Sequence, residues 1–233
     1  VGYDAVLLSM AAFAGDTVEA MVEHCRTIAG IIPVIGFYLQ PSVGGRILPY
    51  SFWRELAEID NVLGIKMAPF NRYQTFDVVR AVADSSRADE VTLYTGNDDN
   101  ILIDLLSPYQ IVTSSGVKNM SIRGGLLGHW CVWTRKAVEL LEEVQKLRES
   151  GSSSIPWELL QRNVKITDSN AAFFDPSHGF AGCIPGIHEV LRRQGLLLGT
   201  WCLNPAEVLS PGQSEEIDRV YAAYPELNDD AFV

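Results

Sequence analysis

Short apolar runs that alternate with helical patterns constrain this chain more than any other feature of its sequence. Five runs, 3–10 (YDAVLLSM), 33–40 (PVIGFYLQ), 62–68 (VLGIKMA), 91–96 (VTLYTG) and 124–130 (GGLLGHW), are bounded by turn residues and have the length of single strands. Between them lie stretches with apolar residues at helical spacing: DTVEAMVEHCRTIA, with Asp16 as the expected N-cap, then PYSFWRELAEI, TFDVVRAVADSS and WTRKAVELLEEVQKLRES. Strands and helices that take turns across brief connections pair as parallel strands with crossover helices. That gives a doubly wound sheet or a TIM (β/α)8 barrel, and the barrel is the α/β fold expected here. Past about residue 150 the strand signals cease. The loop ESGSSS leads to helical patterns over 155–195, closed by Gly195 as a C-cap, and over 210–224. The expected organisation is barrel over 1–150 and a C-terminal helical extension over 151–233.

Composition narrows the function. Of 233 residues, 47% are hydrophobic and 20% charged, which suits a compact domain of the larger α/β type. A formal charge of −11 argues against a nucleic-acid partner, which needs a basic face. No apolar run reaches the length that spans a bilayer, and no signal-like segment opens the chain, so no membrane partner is expected. Cys25, Cys131, Cys183 and Cys202 lack CxxC spacing, which predicts packing roles and a reduced, cytoplasmic setting. His24, His129, His178 and His188 show no metal-ligand spacing, and there is neither a nucleotide-binding glycine fingerprint nor a GxSxG elbow. No metal and no organic cofactor is expected.

Lys66 stands out against this background, because an ammonium buried in a core strand costs several kcal/mol or gives up its proton. Strand parity groups Gly64, Lys66 and Ala68 on one face of 62–68. It groups Val34, Gly36, Tyr38 and Gln40 on one face of 33–40. If both mixed faces point into the barrel, the Tyr38 phenol and the Lys66 amine meet near the C-terminal ends of neighbouring strands. An amine there can add to a ketone to give a Schiff base, with a phenol to move protons. The competing reading makes Lys66 a strand cap or a lysine that reaches to solvent.

GFYLQP followed by VLGIKMAPF, with Tyr38 and Lys66 28 positions apart, resembles the tyrosine and lysine motifs of the dihydrodipicolinate synthase and N-acetylneuraminate lyase superfamily. VGYDAVLLSM resembles that family's fourth strand, LYTGNDD its glycine-acidic seventh-strand motif and GGLLGHW its eighth. The resemblance implies Lys66 as the Schiff-base lysine and Tyr38 as the phenolic proton carrier. It implies Gly96, Asp98 and Asp99 as substrate-binding residues, no cofactor, and a dimer or tetramer. Two departures mark an atypical member: Leu39 follows Tyr38 where asparagine is usual, and Val43 stands where the synthases carry a carboxylate-binding arginine. Strands one to three have no counterpart, so N-terminal strands are expected to be absent from this sequence.

Three further residues are candidates for the same site. Asn71 and Arg72 follow strand 62–68 directly, and Arg72 could hold a carboxylate by a two-pronged hydrogen bond or simply be a solvated loop residue. His129 could reach substrate from the last strand, or be structural. Asn97 or Asp98 could equally cap the next helix. The function expected is a class I lyase or aldolase acting on pyruvate, another 2-keto acid or a sugar-acid-derived keto compound. The alternatives are a phosphate-binding barrel isomerase or lyase using the glycines near 124–128, and a binding or regulatory relative without turnover.

Overall fold

The computed structural model describes residues 2–13 and 15–233. They cluster into two compact units that interleave along the sequence and do not divide at residue 150. One comprises the residues up to Asn97 with Ser107–Leu126, the other Asp98–Leu106 with Leu127–Val233.

The first unit is built on β1 (Val6–Ser9), β2 (Val34–Leu39), β3 (Val62–Ala68) and β4 (Thr92–Thr95), a hairpin of β5 (Tyr109–Thr113) and β6 (Gly116–Met120), and β7 (Ile122–Gly125). Strands β1, β2, β3, β4 and β7 lie side by side in that order, every neighbouring pair parallel. The sheet is open, with β1 and β7 as its edges. Helices α1 (Val18–Ala29), α2 (Tyr50–Ala57) and α3 (Arg72–Ala83) connect the first four strands. This is the barrel-type α/β alternation read from the sequence.

One face of the sheet is the core. Val34, Tyr38, Ile65, Met67, Leu93 and Ile122 are fully buried, as are Phe52, Trp53 and Leu56 of α2 and Val78, Val79 and Val82 of α3. Each such side chain contributes about 1.5–3 kcal/mol by leaving water. Gly36 makes this packing possible, since a Cβ there would stand 2.8 Å from a Leu56 methyl and 3.5 Å from the Trp53 ring. The opposite face, with Ile35, Phe37, Lys66 and Tyr94, is only partly buried.

Local details depart from the expectations. Thr17, not Asp16, caps α1, its hydroxyl accepting from the Ala20 N–H. The final strand lies at Ile122–Gly125 rather than 124–130, and within it Gly124 sits beneath the Tyr94 ring, 3.2 Å from where a Cβ would be. A β5–β6 hairpin, absent from the sequence expectations, turns at TSSG, where Gly116 has φ +117. Of the four cysteines only Cys25 is a core residue; Cys131 is exposed and the other two are half-buried.

The second unit is helical: α4 (Ile101–Leu106), α5 (Thr134–Glu149), α6 (Trp157–Phe174), α7 (Cys183–Arg193) and α8 (Gln213–Ala223), with 3-10 turns at His129–Cys131 and Pro225–Leu227. Helix α6 packs against α4, α7 and α8, and Trp133 lies edge-on to Phe173 and Tyr221. Asp175 (φ +55) ends α6, its carboxylate accepting from the Gly182 N–H and the Ser210 hydroxyl. Gly195, in the left-handed region one residue beyond the α7 C-cap, donates its N–H to the Arg192 carbonyl. Among the described residues no helix is long and apolar enough to cross a membrane.

Candidate active site

Lys66 projects from the middle of β3 on the less buried face. Its neighbours in register are Phe37 of β2 and Tyr94 of β4. Its Nζ lies 4.3 Å from the centroid of the Phe37 ring. Gly96, just past β4, leaves the space this side chain needs. A Cβ at that position would come within 2.9 Å of Lys66 Cε and 2.8 Å of Ala68 Cβ. The glycine of LYTGNDD therefore has a steric role beside the lysine.

Tyr38 does not share that face. Each strand's own alternation is as read, but the pairing between β2 and β3 shifts by one at Val34/Ile35, where Leu63 is extra, and a slip of one residue reverses which faces coincide. Tyr38 consequently pairs with Met67 and points into the helix layer, 0% exposed, its ring 5.0 Å from that of Trp53. A phenol can be buried there because its hydroxyl accepts from the Leu48 N–H at 3.3 Å and donates to the Leu48 carbonyl at 3.4 Å. Burial also pushes its pKa above the ordinary tyrosine value. The phenol on the lysine's face is Tyr94, set there by the register between β3 and β4.

The turns beyond β3 and β4 are tied together by Asn97, which is fully buried. Its Oδ1 accepts from the Phe70 N–H at 3.0 Å, its Nδ2 donates to the Thr75 hydroxyl at 3.2 Å, and its own N–H donates to the Thr95 hydroxyl. This network holds Phe70 at φ +53, a strained value for an aromatic residue. Asn71, a candidate for the site, is the N-cap of α3, its Oδ1 accepting from the Tyr73 and Gln74 N–H groups, so its side-chain oxygen serves the helix. Arg72 opens α3 at the surface, with one guanidinium nitrogen 3.4 Å from the Thr75 hydroxyl. The glycine run has packing duties: a Cβ at Gly128 would meet the Phe174 ring at 3.2 Å, as one at Gly124 would meet Tyr94.

Asp98, Asp99 and His129 belong to the second unit. His129 lies in a 3-10 turn rather than on a strand and is buried. Its backbone N–H donates to Asp98 Oδ1 at 2.8 Å, and its ring Nδ1 lies 2.5 Å from Asn170 Oδ1. Asn170 Nδ2 donates to the Asp98 carbonyl at 2.6 Å, which makes Asn170 Oδ1 an acceptor and places the imidazole proton on Nδ1. Asp99 is exposed, and its carbonyl accepts from the Thr167 hydroxyl. Asn170, seventy-odd residues after Asp98, carries no local signal of this role.

Burial pushes the His129 pKa down to about 4 from its ordinary 6.5, against the opposing Asn170 hydrogen bond. The folded protein keeps this ring neutral where the unfolded chain protonates it, so stability falls as pH drops from about 6.5 towards 4. The loss is on the order of 3 kcal/mol. Urea denaturation at pH 7.5 and 4.5 measures it, and His129→Gln should remove most of that difference while other groups leave a residue of pH dependence.

A parallel β/α sheet with a lysine on its open face and a helical C-terminal part defines the (β/α)8-barrel class. The chain is 30% identical over 104 residues to a 4-hydroxy-tetrahydrodipicolinate synthase of Alkaliphilus oremlandii, a match covering 44% of this chain and 34% of the synthase. Its fold superposes on dihydrodipicolinate synthase from Bacteroides thetaiotaomicron with a TM-score of 0.70 at 14% identity, over 95% of this chain and 67% of the other. A variant of the 2-keto-3-deoxygluconate aldolase of Sulfolobus solfataricus superposes with a TM-score of 0.63 at 14% identity, over 91% and 63%. No protein-family model matches the chain. The sequence likeness over those 104 residues is to a 4-hydroxy-tetrahydrodipicolinate synthase, and the solved structures share the barrel fold. The chain spans about a third of the curated relative that it matches.

Proposed function

We propose that this protein is a class I lyase or aldolase in which Lys66 forms an imine with a small 2-keto acid or a keto compound derived from a sugar acid. The observation that carries the reading is the position of Lys66, in mid-strand on the open face and given room by Gly96. The neutral amine adds to the ketone carbon, and the carbinolamine loses water to give the iminium. That cation accepts the electron pair released when a C–H or C–C bond at the adjacent carbon breaks. Tyr94, beside Lys66 in register, is the phenol assigned to move protons in these steps, in place of Tyr38. Arg72, at the loop beyond β3, is assigned to the substrate carboxylate. By resemblance to the superfamily the protein works in the cytoplasm as a homo-oligomer, without metal or organic cofactor.

One observation favours a second reading. Phe37, with no hydroxyl, is the β2 residue against Lys66, which suits a relative that captures a keto acid without turning it over. Proton exchange at C3 of pyruvate in D2O, followed by NMR, tests the first reading because exchange requires passage from iminium to enamine. Exchange above the uncatalysed rate that disappears in Lys66→Ala is expected. Exchange indistinguishable from buffer would favour the capture-only relative.

A further inference from the structure

Thr75 lies in the first turn of α3, buried, and every position on its hydroxyl is taken. The proton goes to the Asn71 carbonyl at 3.1 Å, and the two lone pairs accept from Asn97 Nδ2 at 3.2 Å and from an Arg72 guanidinium nitrogen at 3.4 Å. Asn97, itself fully buried, grips the same turn a second time through the Phe70 N–H. It follows directly on Gly96, whose own N–H donates at 2.6 Å to the carbonyl of Met67, the residue after Lys66. A chain of bonds therefore runs from the paired strands β3 and β4, through Asn97 and Thr75, to the guanidinium of Arg72. Arg72 is exposed, and a side chain of that length left unheld would spread over many rotamers. The φ of +53 at Phe70 is strain that this arrangement holds in place of a relaxed turn.

We propose that Asn97 is a positioning residue that acts through Thr75 to set the Arg72 guanidinium relative to the Lys66 amine, and so selects a ketone that carries a carboxylate over a neutral one. The inference rests on the roles proposed above for Lys66 and Arg72 and adds the residues that hold the second in place for the first. An arginine already held by a buried, fully bonded hydroxyl meets a carboxylate with little conformational freedom left to lose. That advantage is worth nothing to a substrate without a carboxylate, so loss of Asn97 should be felt only where Arg72 is in use.

The test is borohydride trapping on the full chain with pyruvate and with hydroxyacetone, which replaces the carboxylate by a hydroxymethyl group, each titrated to half-maximal modification of the Lys66 peptide. Asn97→Ala and Thr75→Val should each raise the half-maximal pyruvate concentration about tenfold, the low end for a weakened hydrogen bond to a charged group, and leave that for hydroxyacetone within about twofold. Thr75→Val keeps the shape of the side chain and carries the test if Asn97→Ala does not fold. Thr75→Ser, which restores the hydroxyl, should recover most of the pyruvate affinity. Arg72→Ala should show the same selective loss, and adding Asn97→Ala or Thr75→Val to it should cost nothing further, because a residue that acts through another has no effect once that other is gone. Equal losses for the two ketones, additive losses in the double variant, or an Arg72→Ala that leaves pyruvate unmoved would overturn the proposal while the Schiff base stands. Lys66 unmodified by either ketone in the parent protein would overturn the Schiff-base reading and this inference with it.

Discussion

Incubation with pyruvate followed by borohydride should leave a stable secondary amine on a peptide that contains Lys66, and Lys66→Ala should lose the adduct entirely. Reduction freezes whatever iminium has formed, so mass spectrometry reads occupancy of the intermediate without needing turnover. The two tyrosines then separate in a way that the face assignment dictates. Tyr94, on the lysine's face, should slow turnover about 10²–10⁴-fold as Tyr94→Phe, the usual worth of a positioned proton-transfer group. Tyr38→Phe should leave the rate close to that of the parent, because its hydroxyl is spent on the Leu48 backbone in the helix layer. The opposite ranking would show that Tyr38 reaches Lys66 in the working protein. An unmodified Lys66 under saturating pyruvate and longer keto acids would remove the Schiff-base mechanism.

Trp53→Ala should destabilise the protein by about 3–5 kcal/mol in urea denaturation, the range for emptying a buried tryptophan site. Trp53 is 0% exposed, and its ring contacts Phe52 and Tyr38 and closes over Gly36. A double-mutant cycle with Tyr38→Ala makes this a test of orientation as well as of packing. Rings in contact should show a coupling of about 0.5–1.5 kcal/mol. Additive effects would mean that Tyr38 does not lie against α2.

The strand and helix pattern was legible because each element carries its own period. The five parallel strands fall within or next to the apolar runs that predicted them, and VLGIKMA coincides with β3 over its whole length. The lysine was legible for a related reason: a charge inside an apolar run is conspicuous wherever the run ends up. The hairpin between β4 and β7 escaped because its strands alternate around exposed positions and present no apolar run, with Val112 and Val117 both facing water.

Sequence by itself determined the order of elements and the barrel-type alternation, and it set Lys66 apart as a charge inside an apolar run; the room that Gly96 leaves for it emerged only in the folded sheet. Tertiary structure decided which residues face that lysine. Parity within a strand is local, but which parity meets which across a sheet depends on register: one extra residue at Leu63 set Phe37 beside Lys66 and turned Tyr38 towards Trp53, while the unbroken β3–β4 register set Tyr94 on the other side of the lysine. It likewise set Asn170 on Asp98 and His129, because hydrogen bonds between groups far apart in sequence exist only once helices have packed.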